Sequence, residues 1–205
     1  MKIIDISLGI EENMIFYPGD PEFTLNSVLD MSKGDDLNLS EVKMGVHTGS
    51  HIDSPLHFIK NGESISDLPL TRFYGSCLVI DRTDLSFGTE ISRESLDSYN
   101  IGENLIILFK TKNSSILNNN FREDFVSLSL EAAKLLTKLK IQALGIDYLS
   151  IGSPDTHKYL LSNGIIVYEG LRLSSVDPGM YTFIGFPLKL MGSEGAPTRA
   201  VLIKE

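Results

Sequence analysis

The apolar residues of this chain fall in short blocks separated by stretches of Gly, Pro, Asn, Asp and Ser, a pattern of strands punctuated by turns. Ile3, Ile4 and Ile6 make the first β-branched block. Phe23–Asp30 and Leu37–Val46 read as two more strands. In the second, Leu37 and Leu39 lie on one parity and Val42, Met44 and Val46 on the other, which predicts a bulge near Glu41. Ser76–Asp81, with its run Cys77–Leu78–Val79–Ile80, and Leu105–Phe109 read as buried strands. The helical period is clearest in Ser129–Lys140, where Ala132, Leu135, Leu136 and Leu139 share a face and Lys138 and Lys140 suit the C-terminal end. Ser92–Tyr99 reads as a shorter helix opened by a serine cap.

Ile141–Ile146 returns the chain to a strand, and strand–helix–strand order predicts a crossover with parallel pairing. The loop Asp147–Asp155 then lies at the carboxyl end of that strand, where open α/β sheets place functional residues. Asp155 is the expected cap of a short helix running through Asn163, with Gly164 as its stop and His157 in its first turn. Ile165–Tyr168 is a strand ending at Glu169–Gly170, and Met180–Leu190 and Arg199–Ile203 close the chain as strands around a turn at Gly192–Gly195. Lys60–Glu63 reads as a turn and Asn113–Asn120 as a polar loop. With no repeat, linker or low-complexity tract, the expectation is one α/β domain over residues 1–205, a mixed sheet with a few helices.

Composition narrows the function. A net charge of −9 without any Lys/Arg run argues against a nucleic-acid partner. No apolar run reaches a membrane span, and the first residues contain no long apolar segment of a secretory signal. The single cysteine, Cys77, has no partner for an internal bridge. The expected location is the cytoplasm.

Chemistry concentrates in Gly45–Phe58. Three of the four histidines, His47, His51 and His57, fall in this stretch, together with Asp53. Imidazole nitrogens beside a carboxylate suit a borderline divalent cation. A helix is excluded here by Gly45, Gly49 and Pro55 and disfavoured by Thr48, Ser50 and Ile52. An irregular loop leaving a strand remains, with Gly49 turning the backbone so that His47 and His51 converge. His51 and Asp53, two apart in extended chain, point the same way. These three read as ligands, and His57 is left over as a proton carrier. A structural zinc site fits less well, because such sites are closed and commonly cysteine-rich. Upstream, Phe16 and Tyr17 precede the Pro18–Gly19 turn as either a loop plug or a substrate contact.

His47–Thr48–Gly49–Ser50–His51–Ile52–Asp53–Ser54–Pro55–Leu56–His57 resembles the HxGTHxDxPxH signature of the cyclase-like metal-dependent hydrolases, the family of bacterial kynurenine formamidases and isatin hydrolases. The likeness extends to Tyr17–Asp20, Gly145–Asp147 with Ser150, Asn163–Leu171, and Pro187–Lys189 with Arg199–Leu202. It implies a swivelling β/β/α fold, assembled as a homodimer or homotetramer, with one to two zinc or manganese ions per chain. By that resemblance His47, His51 and Asp53 bind the first ion, Asp53 bridges to a second held by His157, and Glu169 contacts both. His57 acts in proton transfer. Tyr17 stands where the formamidases have tryptophan, a residue this chain lacks, and as an aromatic it is the expected substrate contact.

The implied chemistry is hydrolysis of the amide bond of a small aryl-containing molecule, a formamide or lactam, by metal-activated water with His57 as general acid and base. The alternatives are a metal-dependent cyclase or dehydratase, a lactone or isatin hydrolase, and a non-catalytic metal-binding protein. An unliganded histidine beside the ligands speaks against the last.

Overall fold

The computed structural model describes residues 1–117 and 121–204. Its principal sheet has nine strands: β1 (Lys2–Asp5), β4 (His51–Asp53), β5 (Tyr74–Asp81), β7 (Ile106–Lys110), β9 (Ala143–Ile146), β10 (Ile166–Glu169), β11 (Gly179–Ile184), β12 (Gly195–Pro197) and β13 (Val201–Lys204). Two small sheets accompany it, β2 (Thr24–Leu29) with β3 (Leu39–Lys43), and β6 (Glu90–Ile91) with β8 (Ser127–Leu128). The order across the large sheet is β1-β13-β11-β5-β7-β9-β10-β4-β12. β5, β7, β9 and β10 run parallel, and antiparallel pairs flank them on both sides. This is the mixed α/β sheet with few helices that the pattern predicts.

The expected crossover is present, with helix α1 (Leu130–Lys138) lying between β7 and its parallel neighbour β9, and a second follows it. Helix α1 joins β8 to β9, and α2 (Pro154–Ser162) joins β9 to the parallel β10. Together they cover one face of the sheet, where Ala132, Ala133, Leu136, Leu160 and Leu161 meet Ile107, Phe109, Leu144 and Ile146. The other face buries Ile52, Phe73, Val79, Tyr168 and Phe183. Cys77 lies in this second core and burial pushes its thiol pKa well up. No helix among the described residues is long and apolar enough to cross a membrane.

Several local expectations are corrected. Ser92–Tyr99 is not a helix: it holds only the 3-10 turn Glu94–Leu96, beside the two-residue strand β6. The cap of α2 is Ser153, whose Oγ accepts from the Thr156 N–H, and Asp155 lies inside the first turn behind Pro154. The bulge sits on β2, between Ser27 and Leu29, and not near Glu41. Met180–Leu190 is strand only to Ile184, because Gly185 and Pro187 interrupt the ladder. The Gly192–Gly195 turn runs directly into β12. In Asn113–Asn120, Lys112–Ser115 is a 3-10 turn and Asn113 is buried against Val126 through two hydrogen bonds, while residues 118–120 lie outside the described residues.

Asp147 fastens that turn. Fully buried at the end of β9, its carboxylate accepts from the N–H and hydroxyl of both Thr111 and Ser114 at 2.6–3.2 Å. Burial still outweighs these bonds and raises its pKa to about 6. A folded-state pKa above the unfolded one means that Asp147 stabilises the fold most below pH ~4, and that this contribution is lost as pH rises through about 6. Asp147→Asn keeps an acceptor for three of the four donors, so wild type measured against it in urea is expected to lose relative stability over that pH interval. Asp147→Ala strands four donors and is expected to cost about 3 kcal/mol below pH ~4, and less as pH rises through about 6.

Candidate metal centre

Strand β4 is the centre of the site. Alternation along it turns Ile52 into the core and sends His51 and Asp53 together to the opposite side. Its register with β10 sets Glu169 directly across from His51, so their side chains share a face, with His51 Nε2 3.3 Å from Glu169 Oε2. The sequence reading expected a loop through this whole stretch. The loop ends at Ser50, and the two ligand candidates stand on a three-residue strand between β10 and β12.

The remaining histidines enter from three directions. His47 precedes β4 in a turn that Gly49 makes possible at φ +67. His157 comes from the first turn of α2 and lies 3.0 Å from Glu169 Oε1. His57 ends the 3-10 turn Pro55–His57 that follows β4. The structure therefore draws His47, His51, Asp53, His157 and Glu169 into two overlapping groups. His47, His51 and Asp53 form one and Asp53, His157 and Glu169 the other, each with one potential ligand atom per residue within 4.8 Å of the rest. His57 belongs to neither group. Its half-buried ring lies 4.2 Å from that of His47, centroid to centroid.

Backbone contacts fix the ring orientations. His51 Nδ1 is 3.0 Å from the Gly49 carbonyl, and His157 Nδ1 is 3.0 Å from the Ser153 carbonyl. With each Nδ1–H donated to its carbonyl, Nε2 is directed at the carboxylates, a donor to them when protonated and a ligand atom when not. Glu169 Oε1 accepts the Ile151 N–H at 2.6 Å. Ser50 ties the histidine loop to the end of β10, donating to the Gly170 carbonyl at 2.6 Å and accepting the Leu8 N–H at 2.8 Å.

Three buried atoms have no hydrogen-bond partner among the described residues: both oxygens of Asp53 and His47 Nε2. His47 Nδ1 lies 2.9 Å from Asp53 Oδ1 but off the line a hydrogen bond needs, so the attraction is electrostatic. A fully buried carboxylate with unused lone pairs and inward-facing imidazole nitrogens fits a divalent cation. In its absence the charges balance one another. Burial opposes ionisation of Asp53, yet the histidine rings beside it hold it well below the usual carboxylate range. Burial also opposes protonation of His157, but the Glu169 carboxylate overrides it and pushes the imidazole up to about 9. His57 moves the other way, lowered chiefly by burial.

His47, His51, His57, His157 and Glu169 line a cavity of about 270 Å³, and Asp53 lies buried beneath them, outside its lining. Its wall includes Tyr17, whose ring meets Phe121 edge to face at 5.0 Å, and Phe58, whose ring stacks on His157 at 5.0 Å. Tyr17 is 44% exposed, so its ring is packed on one side and open to the cavity on the other. Ser150 and Asp20 also line the cavity, whereas Asp147 does not. Sequence reasoning missed Phe58, the Ile151 N–H, and Gly195 on β12. A Cβ on Gly195 would stand 2.8 Å from both His47 Cε1 and the Ile52 carbonyl oxygen, so only glycine admits the His47 ring.

Comparison with known proteins agrees with this geometry. The chain is 36% identical over 194 residues to cyclase-like protein 3 of Arabidopsis thaliana, covering 88% of this chain and 70% of that one. It is 30% identical over 208 residues to the kynurenine formamidase of Salinibacter ruber, covering 98% and 97%. A solved structure described as a potential metal-dependent hydrolase with cyclase activity superposes with a TM-score of 0.87 at 35% identity, covering 100% and 98%. The family model described as "Putative cyclase" matches residues 4–153. That match spans well over half of the sequence, and the chain belongs to the cyclase family.

Proposed function

We propose that this chain is a metal-dependent hydrolase that cleaves the amide C–N bond, of formamide or lactam type, in a small aryl-containing substrate. The observation that carries the reading is the shared position of Asp53 in two N/O donor groups whose His47, His51, His157 and Glu169 line an aromatic-walled cavity. The likeness to a kynurenine formamidase supports a formamide as the cleaved group. In this reading His47, His51 and Asp53 hold one zinc or manganese ion, and Asp53, His157 and Glu169 offer a place for a second. A divalent cation there makes water acidic enough to attack at neutral pH and polarises the scissile carbonyl.

The protein's own groups do the rest. Tyr17 and Phe58 hold the substrate ring against the cavity wall. His57, favoured in its neutral form by burial and outside both donor groups, accepts a proton from the attacking water. It returns that proton to the departing nitrogen, without which an amide does not release its amine.

We further propose that the chain works as a homodimer or homotetramer, with the β2–β3 hairpin as the contact. The paired Leu25 and Val42 on that hairpin are 50% and 52% exposed, and a two-stranded hairpin without a core is marginal alone.

Hydrolysis of formanilide by protein loaded with zinc or manganese tests the reaction, and inactivity with both metals toward aryl formamides and lactams would overturn it. His57→Ala is expected to retain the metal and lose about 10²–10⁴-fold in kcat, whereas His51→Ala loses metal and activity together. Metal loss from His57→Ala in proportion to activity would make it a ligand. Tyr17→Ala should act mainly on KM, since ring packing is common to ground and transition states; an unchanged KM would remove Tyr17 from the substrate site. For the assembly, sedimentation of wild type and of Val42→Glu should show an oligomer that the variant dissociates. A monomeric wild type at micromolar concentration contradicts the hairpin contact.

A further inference from the structure

Asp20 is a carboxylate in the cavity wall that the hydrolytic scheme does not use. It ends the turn Tyr17–Asp20, in which the Asp20 N–H donates to the Tyr17 carbonyl at 3.0 Å and Gly19 takes the left-handed corner at φ +98. One stiff turn therefore presents both the Tyr17 ring and the Asp20 carboxylate to the same cavity. The other carboxylate lining it, Glu169, has its oxygens engaged by the Ile151 N–H and by His51 and His157. Asp20 has no comparable partner: among the described residues its carboxylate makes no hydrogen bond and no ion pair. No lysine or arginine lines the cavity.

A half-buried carboxylate that feels the site histidines only through space, and is held beside an aromatic ring with no hydrogen-bond donor of its own, can receive an ammonium group. We infer that Asp20 is a specificity-determining residue, accepting a hydrogen bond from a protonated amine carried by the substrate. The favoured class is then an aryl amide with a positively charged side chain, ahead of a neutral one, and an acid-bearing ring is disfavoured. The inference rests on the hydrolase reading for its reaction, but the binding preference it states is independent of turnover. The ammonium is distant from the bond that breaks, so the contact is common to ground and transition states and acts on KM.

The test uses three formanilides on matched rings, with meta-aminoethyl, meta-ethyl and meta-carboxymethyl groups, and metal-loaded protein. Wild type should show its lowest KM for the aminoethyl compound. Asp20→Asn, which keeps the backbone bond of the turn, should raise that KM about tenfold relative to the ethyl compound, and Asp20→Lys should turn the preference toward the carboxymethyl compound. Equal effects on all three compounds, or an effect carried by kcat with a shifted pH profile, would overturn the assignment in favour of a role in proton transfer. Fluorescence titration with the three corresponding anilines requires no turnover. A tenfold weaker affinity of Asp20→Asn for the aminoethyl aniline alone supports the assignment even if wild type cleaves none of the formanilides, in which case the hydrolase reading is what fails. No selective loss refutes the assignment whatever the turnover.

Discussion

A carboxylate with no exposed surface and no hydrogen-bond partner is one of the least favourable arrangements a fold can contain, and Asp53 is such a group. The rest of the site is arranged around relieving it. Imidazole nitrogens of His47, His51 and His157 stand 2.9, 3.6 and 3.8 Å from its oxygens. The carboxylates favour the charged rings of His51 and His157, and a cation bound there would find the same nitrogens as donors. The large two-faced core lies elsewhere, on Ile52, Phe109 and their neighbours, so the fold does not depend on the ion for its hydrophobic stabilisation.

Geometry converts that constraint into a centre with two overlapping halves. Strand alternation aligns His51 with Asp53, and cross-strand register brings Glu169 opposite His51. The crossover helix after β9 delivers His157 from the far side. Glycine supplies the space where these parts close on one another. The left-handed Gly170 carries its Cβ position to within 2.2 Å of the Gly49 carbonyl oxygen, so the histidine loop and the end of β10 meet backbone to backbone. Ser50 then bonds across that approach.

The part of the site visible in the residues themselves is the part that is local. His47, His51, Asp53 and His57 lie within eleven positions, where clustering and the exclusion of a helix speak directly. His157 and Glu169 lie about a hundred positions away in settings that, alone, describe surface residues: the first turn of a short helix and the end of a strand. Only the family resemblance connected them to the cluster. Gly195 and the Ile151 N–H gave no signal, because one acts by lacking a side chain and the other through its backbone. The helix expected at Ser92–Tyr99 rests on Ser92 as a cap, and the Ser92 Oγ does accept the Ser95 N–H, but only the 3-10 turn Glu94–Leu96 follows. The cap of α2 was legible: Pro154 prefers the first helical position, which makes the residue before it the cap.

The division of labour among the histidines follows from how each is anchored. His51 and His157 each give Nδ1–H to a backbone carbonyl, which fixes the tautomer and commits Nε2 to the centre. Carboxylates beside them favour the charged ring, the environment of a residue that binds a cation in place of its proton. His57 packs instead against the rings of His47 and Phe58 and shifts toward its neutral form. A base that is neutral near physiological pH and free of the donor groups can take a proton and return it within one turnover. In the proposed scheme one ring type thus serves two roles a few ångströms apart, separated by a backbone carbonyl in one case and an aromatic neighbour in the other.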